Sequence, residues 1–365
     1  MKLLHTSDLQ LDAPFTFLGV LGQDHREQLR ETFAAILALA EREDYQMLLI
    51  AGDLFDSNRP MQRTIDQVVR GLRSLSIPVC ILPGNHDPYN KKSIYRKMNF
   101  PANVTIFGDA VQRMSFPKLD LTVYANAILR MDSYESPMEN IKATGDSRWH
   151  VAMAHGNLVT GVVKDPKRPI SEQEIAESGM DYVALGDWHG YADYSQGDVR
   201  AAYSGSPEPL AFDQTSSGYI ASVTLVDHSV KVEKIAVGRI RAHQLEVDVS
   251  GKTQAEITDI ILEQVQPEMM LEIVLKGLHE VGTIIDPLHI QETIATHVYA
   301  ARVRDQSHVQ LEDLSAADYP EEHVIGKFIH SMHARIRLAQ DDVERSRAEH
   351  ALQIGVALLE GKDVI

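Results

Sequence analysis

VCILPGNHD, residues 79–87, is the stretch whose reading decides the fold. An apolar run meets a proline and a glycine, and the turn that follows presents an amide, an imidazole and a carboxylate. Other stretches repeat the design: KLLHTSD at 2–8, MLLIAGD at 47–53, VAMAHG at 151–156 and YVALGDWH at 182–189. A parallel strand buried on both faces reads as a continuous apolar run, because neither face may be polar. In open α/β sheets, ligands gather outside the carboxyl ends of the strands. The runs therefore predict buried strands whose ends bring Asp8, Asp53, Asn85, His86, His155, Asp187 and His189 together from distant parts of the chain.

Between the runs lie amphipathic helices. Residues 24–43 place Leu29, Phe33, Ile36, Leu37 and Ala40 on one stripe, and residues 62–75 do the same with Ile65, Val68, Val69 and Leu72. Strand, helix, strand in this order makes βαβ units. Residues 120–129 and 199–235 read as antiparallel strands, with turns at Ser204-Gly205-Ser206-Pro207 and Asp227-His228. The fold class is α/β: a two-sheet sandwich flanked by helices over 1–238.

Beyond about 240 the character changes. Strands over 240–249, 269–277 and 302–311 and helices over 253–265 and 287–301 predict a small α+β domain at 239–312. Gly251-Lys252-Thr253 echoes the end of a phosphate-binding loop, but the glycine five positions upstream is missing, so it reads as a turn before a helix. A helical tail follows at 313–365, where Val324, Ile325, Phe328, Ile329, Met332 and Ile336 form a stripe. That stripe packs on its own domain or docks a partner helix.

The 365 residues are 44% hydrophobic and 24% charged, a globular composition large enough for one domain with an appendage, or for two. No apolar run approaches the roughly 20 residues that span a bilayer, and the start turns polar too early for a signal peptide. A single cysteine, Cys80, inside a strand, excludes an intramolecular disulfide and fits a reducing, cytoplasmic location. The net charge of −17, from 35 Lys and Arg against 52 Asp and Glu, argues against a simple nucleic-acid binder. The basic groups Lys91, Lys92, Arg96, Lys97 and Lys164, Lys167, Arg168 read as solvated loop faces. A DNA substrate would need metals or a partner to supply attraction.

The side chains at the strand ends suit a two-metal hydrolytic centre. Two ions roughly 3.5–4 Å apart lower the pKa of a shared water and clamp the oxygens of an in-line displacement at phosphorus. Asp53 suits the bridging position, Asn85 can give an amide oxygen, and His155 and His189 can give imidazole nitrogen. His86 is placed to assist a leaving oxygen. Each residue alone has an ordinary reading, as a helix cap, a core histidine or a turn; their recurrence after every strand is what points to metal.

Taken together, Ser7-Asp8-Leu9-Gln10, Gly52-Asp53-Leu54-Phe55-Asp56, Gly84-Asn85-His86-Asp87, His155-Gly156 and Gly186-Asp187-Trp188-His189 resemble the calcineurin-like metallophosphoesterases. The pattern of that family is D-x-H, G-D, G-N-H-D or E, H, and G-H-x-H. The wording HTSDLQLDAPF, AGDLFD, YVALGDWH and YSGSPEPLAF is similar to the SbcD-like DNA repair exonuclease branch. The resemblance implies one ion on Asp8, Asp53 and His189, another on Asp53, Asn85 and His155, and His86 assisting the leaving group. It further implies that the small domain caps the site, that the tail docks an SMC-like ATPase, and that homodimers form.

Gln10 and Asp187 depart from this pattern, each standing where the family has histidine. They shift the ligand set toward oxygen, which favours manganese or magnesium over zinc, with iron also open. The expected activity is metal-dependent phosphodiester hydrolysis, as a DNA nuclease of exonuclease type. The alternatives are a phosphodiesterase for nucleotides or other small molecules, and a weakly active scaffold protein serving an SMC-like ATPase.

Overall fold

The computed structural model describes residues 1–109, 112–161, 164, 166–279, 285–309, 319–320, 322–339 and 341–359. They divide into two compact units, Met1–His243 with Glu268–Met270, and Gln244–Pro267 with Leu271–Ile365. In the first unit the chain runs β1 (Lys2–Thr6), α1 (Gly22–Arg42), β2 (Met47–Ala51), α2 (Gln62–Ser74), β3 (Val79–Leu82), β4 (Val104–Ile106), β5 (Arg113–Phe116) and β6 (Leu121–Ala125). It continues through β7 (Trp149–His155), β8 (Asn157–Leu158), β9 (Pro169–Ile170), α3 (Glu172–Ala176), β10 (Tyr182–Gly186), β11 (Ala192–Asp193), β12 (Arg200–Tyr203), β13 (Tyr219–Val226) and β14 (Ser229–Ala236).

Two six-stranded sheets result, ordered β14-β13-β1-β2-β3-β4 and β11-β12-β10-β7-β6-β5. Alternate residues of both sheets share one core: Leu3, Leu49, Cys80 and Leu82 from the first meet Val123, Val151, Met153 and Tyr182 from the second. The residues between them, such as Leu4, Leu48 and Ile50, are equally buried on the opposite face. This double burial is why the runs read as uninterrupted apolar stretches. On the outer face of the second sheet, Ala152, Ala154, Val183 and Leu185 pack with Ile175 of α3 and with Met138 and Ile141.

The helix stripe of α1 is buried at Leu29, Phe33, Ile36, Leu37 and Ala40, whereas α2 buries Val68 and Leu72 and leaves Ile65 and Val69 half-buried. Two strand directions differ from the sequence reading. β6 runs parallel to β7 although antiparallel to β5, and β12 runs parallel to β10 although antiparallel to β11. In the later segment, β13 with β14, β13 with β1, and β12 with β11 bear out the antiparallel reading. The β13–β14 hairpin turns at Asp227 and His228, both with positive φ, as a tight hairpin turn requires.

The second unit carries the three-stranded sheet of β15 (Arg241–Asp248), β16 (Met269–Lys276) and β18 (Ala300–Asp305), with β17 (Leu278–His279) pairing β19 (His308–Val309). Helices α4 (Gln254–Leu262) and α5 (Pro287–Ala295) bury Ile257, Ile261, Ile290 and Ile294. The helix expected to reach 301 stops at Ala295, because the chain has turned into β18 by Ala300. Residues 310–311 of the expected last strand lie outside the described residues. Thr253 caps α4 by accepting from the Glu256 amide, as a turn into a helix should.

Helices α6 (Val324–Leu338) and α7 (Asp342–Leu359) pack on each other through Ile329, Leu352 and Val356, with Ile325, Phe328, Met332 and Ile336 alongside. Most of the apolar stripe is thus used within its own unit, while Val324 is exposed. Residues 313–318, 321, 340 and 360–365 of the expected tail lie outside the described residues. Among those described, no helix is long and apolar enough to cross a membrane.

Candidate metal centre

The chain turns sharply just beyond β1, β2 and β10. Asp8, Gln10, Asp53 and Asp187 all have positive φ, at 52°, 45°, 49° and 96°. Such backbone is uncommon outside glycine and concentrates at functional sites, held by surrounding bonds. Here the Asp8 amide donates to Gly52 O at 3.1 Å and the Gln10 amide donates to Asp53 O at 2.9 Å, locking the ends of β1 and β2 together. Two glycines make room. A Cβ on Gly52, itself at φ 100°, would stand 1.9 Å from His155 Nδ1, and one on Gly84 would stand 2.1 Å from Asp53 Oδ1.

These turns place Asp8, Asp53 and His155, all essentially buried, with ligand atoms within 4.8 Å of one another. His155 Nε2 lies 3.6 Å from Asp53 Oδ2 and 3.6 Å from Asp187 Oδ1, and it donates to Asn85 Oδ1 at 2.8 Å. On the other side, His189 Nε2 lies 3.8 Å from Asp8 Oδ1, and the Asp187 amide donates to both Asp8 oxygens at 3.2 Å. The His86 amide donates to Asp53 Oδ1 at 2.9 Å, while its half-exposed imidazole sets Nδ1 3.2 Å from Asp56 O. Gln10 turns its amide nitrogen to Asp53 Oδ2 at 2.9 Å. The residues singled out by sequence are therefore neighbours, with Gln10 presenting nitrogen rather than oxygen.

The electrostatics are those of a cation site holding a proton. Burial would lower the pKa of His155, but Asp53, Asp187 and Asp8 raise it to about 10. Both its ring nitrogens have acceptors, Ala51 O at 2.9 Å and Asn85 Oδ1, as an imidazolium requires. Burial also acts to raise Asp53, yet His155 and His86 hold it below the usual carboxylate range. Asp8 is pushed up to about 6 by burial, against the pull of His155 and His189. An ion with bonds of about 2.0–2.2 Å gathers donors up to about 4.4 Å apart, so this cluster needs only a small side-chain adjustment to fit one.

With His155 as a ligand, cation uptake would expel its proton, since an imidazole coordinates only when neutral. Manganese titrated into metal-free protein at pH 7 is expected to release about one proton per ion at this site, and affinity should rise with pH until His155 loses its proton, near 10. Calorimetry in buffers of different ionisation enthalpy checks this; heats independent of buffer would count against it.

Sequence reasoning missed the group that holds Asp187. Arg168, read as part of a solvated loop face, is buried, and its Nη2 lies 3.0 Å from both Asp187 oxygens. The buried carboxylates provide the physical reason, because a third acid there needs a compensating cation. Asn157 adds a bond of 2.6 Å to Asp187 Oδ2. Asp187 Oδ1 still faces His155, so the carboxylate retains an acceptor position toward the centre. Gln214 Nε2, 2.5 Å from His189 Nδ1, orients that ring. No local pattern marks Arg168, Asn157 or Gln214. Asp87, the last residue of the opening stretch, faces away: it accepts from Gly84 N, Phe55 N and Tyr95 Oη and braces the turn.

The chain is 28% identical over 303 residues to an uncharacterized metallophosphoesterase of Bacillus subtilis, YhaO, covering 74% of each. It is 23% identical over 266 residues to the SbcD subunit of the SbcCD nuclease of the same organism, covering 62% of this chain and 66% of that protein. To the DNA double-strand break repair protein Mre11 of Aeropyrum pernix it is 25% identical over 272 residues, covering 68% of this chain and 64% of that one. Residues 1–191, which contain Asp8, Asp53, Asn85, His86, His155, Asp187 and His189, match the calcineurin-like phosphoesterase family. With the two-sheet sandwich and the buried aspartate–histidine cluster, the match settles the affiliation: the chain belongs to the calcineurin-like phosphoesterase family.

Proposed function

We propose that this chain hydrolyses phosphodiesters with two divalent ions, preferably manganese, and that its substrate is DNA, attacked as by an exonuclease. The observation that carries the reading is the buried Asp8–Asp53–His155 cluster with Asn85 and His189 at its sides and a half-exposed His86 at its edge. When bound, such ions lower the pKa of a water and stabilise charge on phosphoryl oxygens. Asp8, Asp53, Asn85, His155, His189 and, through its free acceptor position, Asp187 are assigned to holding them. Gln10 joins that set only if its amide turns its oxygen inward. His86 is assigned to protonating the leaving oxygen, with Asp56 orienting the ring.

DNA is supported by the relatives named as a nuclease component and as a double-strand break repair protein. We assign residues 239–312 to a cap-type segment and 313–365 to docking an SMC-like ATPase; exposed Leu338, Ile354 and Leu358 support the latter. A second reading, a weakly active scaffold, draws on Gln10 donating a hydrogen bond and on the tether of Asp187 to Arg168, two positions where ligation is altered. One comparison separates them: turnover of bis-p-nitrophenyl phosphate and of linear DNA with manganese, in the native chain and in His86→Ala. The enzyme reading expects turnover that falls about 10²–10⁴-fold in the variant while metal content is kept. Turnover absent from both would favour the scaffold. Gln10→His is expected to raise turnover.

A further inference from the structure

Trp188 is one of the chain's 2 tryptophans and stands between Asp187 and His189. The other, Trp149, is buried at the start of β7, but Trp188 is 55% exposed. Among the described residues no ring or cation is stacked on it. Its indole lies against Gly190, where a Cβ would meet Nε1 at 3.0 Å, so the backbone there is cleared for the ring edge. The indole forms one wall of a cavity of about 480 Å³ whose other walls include Asn157, Tyr191, Asp213, Gln214 and Ser216. That volume is within the range of small-molecule sites. Asp187 and His189 line it too, so it opens directly beside the candidate metal centre.

We infer that this cavity is a nucleobase subsite, in which Trp188 stacks on the base next to the phosphate being cut. A large apolar ring left in water beside a charged centre gains most by covering its face. A nucleobase offers a flat π-surface attached through its sugar to the phosphate the centre needs. The Ser216 hydroxyl, the Asp213 carboxylate and the amide oxygen of Asn157 suit base edges rather than phosphates, since Asp213 would repel a second anion. Stacking of this kind tolerates any base, so the subsite selects for nucleotide-bearing phosphodiesters over simple ones. It rests on the phosphodiesterase reading for its role, although binding at the cavity is measurable without turnover.

The tests use the full chain with calcium in place of manganese for binding, and manganese for kinetics. Thymidine 5′-monophosphate is expected to quench tryptophan emission saturably, whereas 2-deoxyribose 5-phosphate, with the same phosphate and no base, leaves it unchanged. Trp149→Phe, which leaves Trp188 as the emitter, should keep the quench; if that variant fails to fold, the native chain reports alone because Trp149 is buried. In kinetics, Trp188→Ala is expected to raise KM for oligothymidylate about tenfold or more and to leave an abasic oligonucleotide of equal length unaffected. Trp188→Phe should restore most of the loss. Equal response to the two phosphates, no quench at millimolar nucleotide, or an unchanged KM in Trp188→Ala each overturns the subsite. A base-dependent quench in a protein that hydrolyses nothing would keep the subsite and remove the phosphodiesterase reading instead.

Discussion

If the chain works with two ions as proposed, Asp53→Asn is expected to lose phosphodiester turnover by about 10³-fold or more, the scale of removing one group from an electrostatic catalytic site, and to bind less than one ion instead of two. The Asp53 carboxylate is tied to three parts of the fold. Its Oδ1 accepts the His86 amide from the turn after β3, and its Oδ2 accepts Gln10 from the loop after β1 and faces His155 from β7. Asparagine keeps the shape but loses the charge and turns one acceptor into a donor. That NH₂ would then confront either the His86 amide or the His155–Gln10 pair, all donors. Metal content by elemental analysis and turnover of bis-p-nitrophenyl phosphate check both halves. Retention of more than about a tenth of native turnover would falsify the assignment of Asp53 as the bridge, given the loss expected from such a group.

Arg168→Leu is expected to destabilise the metal-free protein by about 3–5 kcal/mol, the cost of removing one partner of a buried ion pair. The guanidinium bonds both Asp187 oxygens and, through Nη1, Met131 O at 2.7 Å. The backbone of Arg168 is equally engaged, accepting from Asn157 N at 2.9 Å and donating to Ser133 O at 3.0 Å. Leucine fills the volume but removes the bidentate partner of Asp187, leaving His155, which Asp53 and Asp8 share, as its remaining cation. Arg168→Lys should recover only part, because an ammonium cannot span both oxygens as the planar fork does. Adding Asp187→Asn to Arg168→Leu should recover about 1 kcal/mol or more, since contacting residues couple on that scale. Urea unfolding in chelator measures all of these. A loss within about 0.5 kcal/mol, the range of ordinary surface changes, would return Arg168 to the solvated face the sequence suggested.

The part of the fold that sequence exposes is the part with local physical causes. Met47–Ala51 and Tyr182–Gly186 are buried on both faces, so every residue in them must be apolar and the runs announce themselves. The α1 stripe is visible because one helical face alone is buried. Strand direction was less legible. Leu121–Ala125 and Arg200–Tyr203 have the composition of strands, but the composition is the same whether the neighbour runs parallel or antiparallel, and each has one neighbour of either direction. The end of α5 was missed because no glycine or proline marks it; Tyr299 leads straight into β18.

For the site, each strand end declares its own ligand type, since a glycine, asparagine or aspartate must stand where the chain reverses and chemistry must begin. Asp8, Asp53, Asn85, His155, Asp187 and His189 could thus be named from sequence, each as the end of a buried run. What remained hidden was every relation that depends on packing: the amide of Gln10 pointing its nitrogen at Asp53, His155 held as an imidazolium among three carboxylates, and a loop arginine folded inward to answer Asp187. Turn chemistry and burial act over a few residues and leave a readable pattern. Charge balance acts through space, between segments whose separation along the chain carries no signal, so only the folded structure could show which cation answers which acid.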